Sequence, residues 1–135
     1  MKTIHKIAAM VIKDNTFLMV RKAGKDIWTN LGGKPERGET EQEALIREIK
    51  EELDCGTTII KRLGDFENKA ALDNAMIHLS VYLVKLIGDP KINDDELEEF
   101  KYLSQGDIES GVKLPLSITE QILPYCIKEK LLDWN

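Results

Sequence analysis

Between Arg47 and Glu52 the sequence reads R-E-I-K-E-E, and the placing of its carboxylates is where chemistry first becomes visible. On a helix advancing roughly 100° per residue, Leu45, Ile49, Leu53 and Ile46 fall within about 100° of one another and form an apolar stripe. Glu52 falls about 20° to the other side of Leu45, Glu48 about 60° and Glu51 about 120°. A merely solvated acidic face would lie opposite the stripe. Here two carboxylates border it, where they repel each other and lose hydration unless a cation compensates. Glu48, Glu51 and Glu52 stand at i, i+3 and i+4, share one face and can converge on a hard divalent ion. Arg47 lies away from the stripe, where pairing with Glu43 and Glu51 is its plain role, and Glu41 and Glu43 read as solvent-facing.

The segment before this helix must bring a ligand close. "KAGKDIWTNLGGKPERG" reads as loop, and its adjacent Gly32 and Gly33 allow the backbone to approach a ligand and present an amide or carbonyl. Thr40 with Glu43 makes a capping box, which starts the helix at about Thr40 and carries it to about Leu53. Around this unit the pattern predicts strands at Ile4 to Ile12 and Phe17 to Arg21, joined through Lys13-Asp14-Asn15 as a hairpin. Further strands are predicted at Thr57 to Leu63, Ile77 to Leu86 and Phe100 to Leu103. Ser117 with Glu120 reads as a second capping box, opening a C-terminal helix that contains Pro124. Strands on both sides of a central helix, with a final helix, imply an α/β fold: a mixed sheet sandwiched by helices.

The chain has 135 residues, which predicts one domain over 1–135 with a single sizeable core. The formal net charge of −5 argues against phosphate neutralisation on polymeric DNA or RNA. It admits a small anionic substrate only where a metal or local Lys and Arg reverse the sign. Cys55 and Cys126 lack metal-type spacing and imply reduced thiols in a cytoplasmic setting. The N-terminal apolar run is far short of a membrane span, so no membrane partner is expected.

Gly33, five residues, Glu39, seven residues, then Arg47-Glu48-Ile49-Lys50-Glu51-Glu52 resembles the Nudix box, G-x5-E-x7-R-E-U-x-E-E-x-G-U with U aliphatic. The lead-in W-x-x-x-G-G-K from Trp28 and the flanking strand pattern are also similar to that family. Asp54 stands where the box has glycine, Cys55 where it has an aliphatic residue, and Leu31 replaces a common proline. Gly56 is a second candidate for the turn that the missing glycine would make.

The resemblance implies an α/β/α sandwich with a loop-helix-loop motif, and a metal-dependent diphosphatase using Mg2+ or Mn2+. Glu48, Glu51 and Glu52 would be metal ligands, joined by a backbone carbonyl from Gly32 or Gly33. Glu48 would be the base, Arg47 would orient it, and Glu39 would support the junction of loop and helix. The implied substrate is a small nucleotide, most economically a nucleoside triphosphate cut to the monophosphate and pyrophosphate as in MutT-like enzymes. A nucleoside diphosphate sugar, a dinucleotide, and a non-catalytic sensor of the same fold are the alternatives. Family members are often dimers, so a homodimer is a further expectation.

Outside the box, Glu96, Glu98 and Glu99 in "NDDELEEF" are candidates for a late-loop ligand or base, against the plain reading of a solvated loop. Lys34, Arg21, Lys22 and Lys25 flank the glycines and are candidates for substrate phosphates. Trp28 could stack on a base or simply pack. His5 and His78 read as structural.

Overall fold

The computed structural model describes residues 2–135. Alternation along the first strand, β1 (Thr3–Lys13), sends Ile7, Ala9 and Val11 to one face and Ala8 and Met10 to the other. Both sets are buried, so the sheet must be covered on both sides. β1 returns as β2 (Thr16–Lys22) through Asp14 and Asn15, whose φ values of 50° and 62° suit a two-residue hairpin turn.

The predicted loop then contains two short strands, β3 (Trp28–Thr29) and β4 (Leu31–Gly33). β4 pairs with β1, Ala8 opposite Gly32 and Ile7 opposite Gly33. A side chain on Gly32 would run into the Ile7 carbonyl, so the glycine is what lets β4 dock there.

Helix α1 (Glu41–Leu53) starts at the predicted capping box: Thr40 Oγ1 accepts the Glu43 N–H at 3.1 Å, and Glu43 Oε1 accepts the Thr40 N–H at 2.9 Å. It buries Ala44, Leu45, Ile49 and Leu53, whereas Ile46 stays 41% exposed, so the apolar stripe is narrower than the wheel implied. Asp54 itself takes the left-handed conformation at φ 55°, and Gly56 instead begins β5 (Gly56–Lys69). Lys50 Nζ at 2.7 Å and Lys91 Nζ at 3.4 Å hold the Asp54 carboxylate in place. Cys55 is buried, filling the aliphatic position.

β6 (Met76–Ile87) runs parallel to β1 and antiparallel to β5, while β7 (Leu97–Leu103) pairs with β2. The strand order is β3-β2-β1-β6-β5, with β4 beside β1. One core lies between α1 and the sheet. The other lies under the C-terminal segment, where Ile118, Ile122, Cys126 and Trp134 meet Met10, Phe17 and Leu79. These are the three layers predicted, α/β/α.

The C-terminal segment departs from expectation at its start. Ser117 is buried and makes no cap, because the turn has already begun ahead of it: Leu116 is in the right-handed helical conformation, and the Ile118 and Thr119 N–H groups donate to the Pro115 carbonyl at 3.0 and 3.2 Å. A π-helical stretch, Ser117–Ile122, follows and passes into the short helix α3 (Leu123–Lys128). Pro124 has no N–H and its ring crowds the carbonyl four residues back, so a widened turn ahead of it relieves both conflicts. A short helix, α2 (Gln105–Glu109), precedes this region, capped by Ser104 and Asp107.

Candidate active site

Glu52 is the most deeply placed of the box carboxylates, 7% exposed, with Oε1 accepting the Gly32 N–H at 2.9 Å. Burial pushes its carboxyl up to about 8, with Glu48, Asp94 and Glu51 adding to the shift and the Gly32 hydrogen bond opposing it. Glu48 lies beside it, and burial raises its pKa as well, against the pull of Arg47. A Cβ on Gly33 would fall 2.6–2.8 Å from the Glu48 carboxyl. The missing side chain at Gly33 therefore makes the space that Glu48 occupies.

Arg47 is the organiser of the group. Its guanidinium forks onto Glu39, Nε to Oε2 at 2.7 Å and Nη2 to Oε1 at 2.9 Å. Nη1 donates to Glu48 Oε1 at 3.0 Å and reaches Glu51 at 3.3 Å, and Nη2 donates to the Lys34 carbonyl at 3.2 Å. Glu39 Oε1 also accepts the Glu36 N–H at 2.7 Å, which ties the loop before α1 to the same arginine. Arg47 holds Glu39 below the usual carboxylate range. Glu51 is more than half exposed and turned to Arg47, so the three glutamates do not converge in this conformation.

A cleft of about 390 Å³ opens in front of Glu48 and Glu52. Gly32, Gly33, Lys34, Lys22, Asp94 and Glu96 line it, as do Ile4, Lys6, Leu72, Ile77 and Pro115; along β1, Lys6 lies between Ala8, opposite Gly32, and Ile4, opposite Ile77 at the aliphatic end. The structure thus brings Lys34, Glu96, Arg47, Glu48 and Glu52 together. It takes other candidates away. Trp28 is buried in the core under the C-terminal segment, with the Arg21 guanidinium 5.8 Å from its ring centre. Arg21 is held by Glu99 at 2.7 Å and Glu98 at 3.3 Å, and none of these three lines the cleft. They pair with one another because β2 and β7 are neighbours, Arg21 opposite Glu99.

Asp94 is a cleft residue that pattern reading passed over. The Lys91 N–H donates to the Leu53 carbonyl at 3.0 Å and the Asn93 N–H to the Glu52 carbonyl at 2.9 Å. The segment before β7 therefore caps the end of α1 and delivers Asp94 next to Glu52. Only this tertiary contact distinguishes Asp94 from the acids around it. Glu41, expected in solvent, accepts the Tyr82 hydroxyl at 2.7 Å and the Ser80 hydroxyl at 2.9 Å.

Two adjacent carboxyls with raised pKa, facing an open cleft, form an oxygen donor set whose charge the protein leaves under-compensated. That fits a hard divalent cation such as Mg2+ or Mn2+. Glu48 and Glu52 would hold it, with Glu51 joining by a change of rotamer away from Arg47.

The profile of the Nudix domain matches residues 3–121. The chain belongs to the Nudix family. It is 28% identical over 88 residues to the CTP pyrophosphohydrolase of Escherichia coli K12, covering 62% of this chain and 64% of that protein. It is 29% identical over 97 residues to an isopentenyl-diphosphate Delta-isomerase of Escherichia coli O6:H1, covering 68% of this chain and 53% of that one. The chain thus spans about half to two thirds of the length of these relatives. The fold is similar to that of a MutT protein from Methanosarcina mazei Go1, with a TM-score of 0.77, 19% identity and 96% of each chain covered. The carboxylate group described above is this chain's Nudix box. Among the described residues no helix is long and apolar enough to cross a membrane.

Proposed function

We propose that this Nudix protein hydrolyses a diphosphate linkage in a nucleotide or nucleoside diphosphate derivative. The most economical form is a nucleoside triphosphate giving the monophosphate and pyrophosphate. The observation that carries the reading is the pair Glu48 and Glu52: a half-buried and a buried carboxyl, both with raised pKa, at the mouth of a cleft that also presents lysines.

When bound, a divalent ion would neutralise the phosphate oxygens and make a coordinated water more acidic. The residues of the chain supply the rest. Glu48 takes the proton of the attacking water, since burial keeps it a stronger base than a solvated carboxylate. Arg47 fixes the rotamer of Glu48 and is fixed by Glu39 in turn. Asp94 adds negative charge beside Glu52, and Lys34 and Lys22 face the anionic substrate. Attack at phosphorus forms one P–O bond and breaks the anhydride P–O bond. For a nucleoside triphosphate the leaving group departs as pyrophosphate, or as the nucleoside monophosphate if the middle phosphorus is attacked.

The relatives include both a hydrolase and an isomerase, so the test is a substrate panel. Wild-type protein with MgCl2 or MnCl2 is given CTP, the other nucleoside triphosphates, UDP-glucose, ADP-ribose and isopentenyl diphosphate, with products followed by 31P NMR. Hydrolysis of a nucleotide member supports the proposal. Conversion of isopentenyl diphosphate alone, or tight nucleotide binding with no turnover, would overturn it in favour of an isomerase or a sensor.

A further inference from the structure

Lys6 is the cation that the box does not account for. It sits on β1, two residues before Ala8, and Ala8 lies opposite Gly32. Alternation puts Ile4, Lys6 and Ala8 on one face, so its Cα lies about 7 Å from Ala8, on the way to the aliphatic end. All three line the cleft. Leu79 is its register partner on β6, and the charges acting on it are Lys22, Asp73, Lys34 and Glu48, all four of them cleft residues. None of the described side chains gives its ammonium an ion pair or a hydrogen bond.

An ammonium in that position is unfavourable for the empty fold. Burial lowers its pKa and Lys22 and Lys34 push the same way, against the weaker opposing pull of Asp73 and Glu48. A polar residue at an inward strand position normally finds a partner or is replaced by an apolar one. Here Lys22, Lys34 and Lys69 line the same cleft instead, in a chain of net charge −5. A phosphate oxygen would satisfy Lys6 and relieve its repulsion with Lys22 and Lys34.

We propose that Lys6 is a substrate-positioning residue that binds a phosphate of the scissile chain midway between the carboxylate end and the aliphatic end. This rests on the diphosphatase reading above and deepens it. Lys22 and Lys34 flank the same phosphate run, so the site takes a phosphoanhydride with more negative charge than the divalent ion alone neutralises. The group beyond the phosphates lies against Ile4, Ile77 and Leu72. No aromatic side chain lines the cleft among the described residues, so that group is held between aliphatic walls without ring stacking.

The test compares wild type, Lys6→Met, Lys6→Arg and the control Lys61→Met, which changes an exposed strand residue outside the cleft. Kinetics use the best nucleotide of the panel with Mg2+, and calorimetry uses inorganic tripolyphosphate. Lys6→Met is expected to raise KM about tenfold or more while kcat falls less than threefold. It should weaken tripolyphosphate binding by a similar factor. Its thermal midpoint should hold or rise, because a poorly solvated charge has gone. Lys6→Arg should recover most of the affinity, and Lys61→Met should match wild type. Unaltered KM and tripolyphosphate affinity in Lys6→Met would overturn the inference and leave the diphosphatase reading intact. Absence of turnover in wild type would sink that reading, while the tripolyphosphate titration would still decide the role of Lys6.

Discussion

Glu52 shows most plainly how one residue can be poor for the fold and good for the site. Its carboxyl is buried near Glu48, with the Gly32 N–H as its main-chain partner. A structural role would favour glutamine there, which makes the same hydrogen bond without the charge. Glu52→Gln is therefore expected to lower turnover by about two orders of magnitude or more while its melting temperature in EDTA stays at or above that of wild type. A fold-destabilising result with activity retained would contradict this. Asp94→Asn should lower turnover by about tenfold, since it removes charge next to Glu52. Glu99→Gln should leave it within about twofold, because that residue serves Arg21 outside the cleft. Steady-state rates on the three purified variants check the ordering.

At the scale of elements, the glycine pair and the helix cap place the carboxylates. Gly33→Ala puts a methyl where the Glu48 carboxyl lies, so activity should fall more than tenfold with a stability loss of only about 1 kcal/mol. Thr40→Ala removes the capping box and should cost about 1 kcal/mol in urea unfolding with kcat nearly preserved. Asp54→Gly relieves a left-handed residue and is expected to stabilise the protein by less than about 1 kcal/mol, offset by the loss of the Lys50 and Lys91 pairs. The Thr40–Glu43 box, the hairpin turn and the glutamate face were legible in the sequence because each is a local pattern with a local cause. Ser117–Glu120 carries the same pattern and fails, because the helical turn starts earlier, at Leu116, and the core has taken the serine. Lys6 carries no local signal, and only the pairing of β1 with β4 and the cleft they share sets it near the site. Asp94, and the loss of Arg21 and Trp28 from the site, depend on which strands are neighbours, and no short window records that.

For the whole molecule, two titrations act on stability in the same sense. His78 lies 3.0 Å from Asp65 and 3.4 Å from Glu67, and the hydrogen bond to Asp65 is the main reason its pKa rises above 6.5. A histidine with a raised folded pKa contributes fully below about 6.5, and that contribution is lost as pH rises through the folded value. Glu52, raised from 4.5 to about 8, keeps its proton in the folded state across that interval, so stability again falls as pH rises through it. Urea unfolding in EDTA should therefore show stability declining between about pH 6 and 8. His78→Gln should flatten part of the slope and Glu52→Gln another part. A divalent ion binding only the folded state would oppose the decline, adding about 2.7 kcal/mol at a hundredfold excess over Kd.

The activity predictions share the premise that the Nudix-box carboxylates lie together because they are meant to share a cation. The most direct measurement is Mn2+ binding followed by electron paramagnetic resonance in the absence of substrate, on wild type and on Glu52→Gln. Saturable binding by wild type, weakened tenfold or more in the variant with its circular dichroism spectrum preserved, is the expected result. Equal Mn2+ affinity in the two proteins would contradict the account.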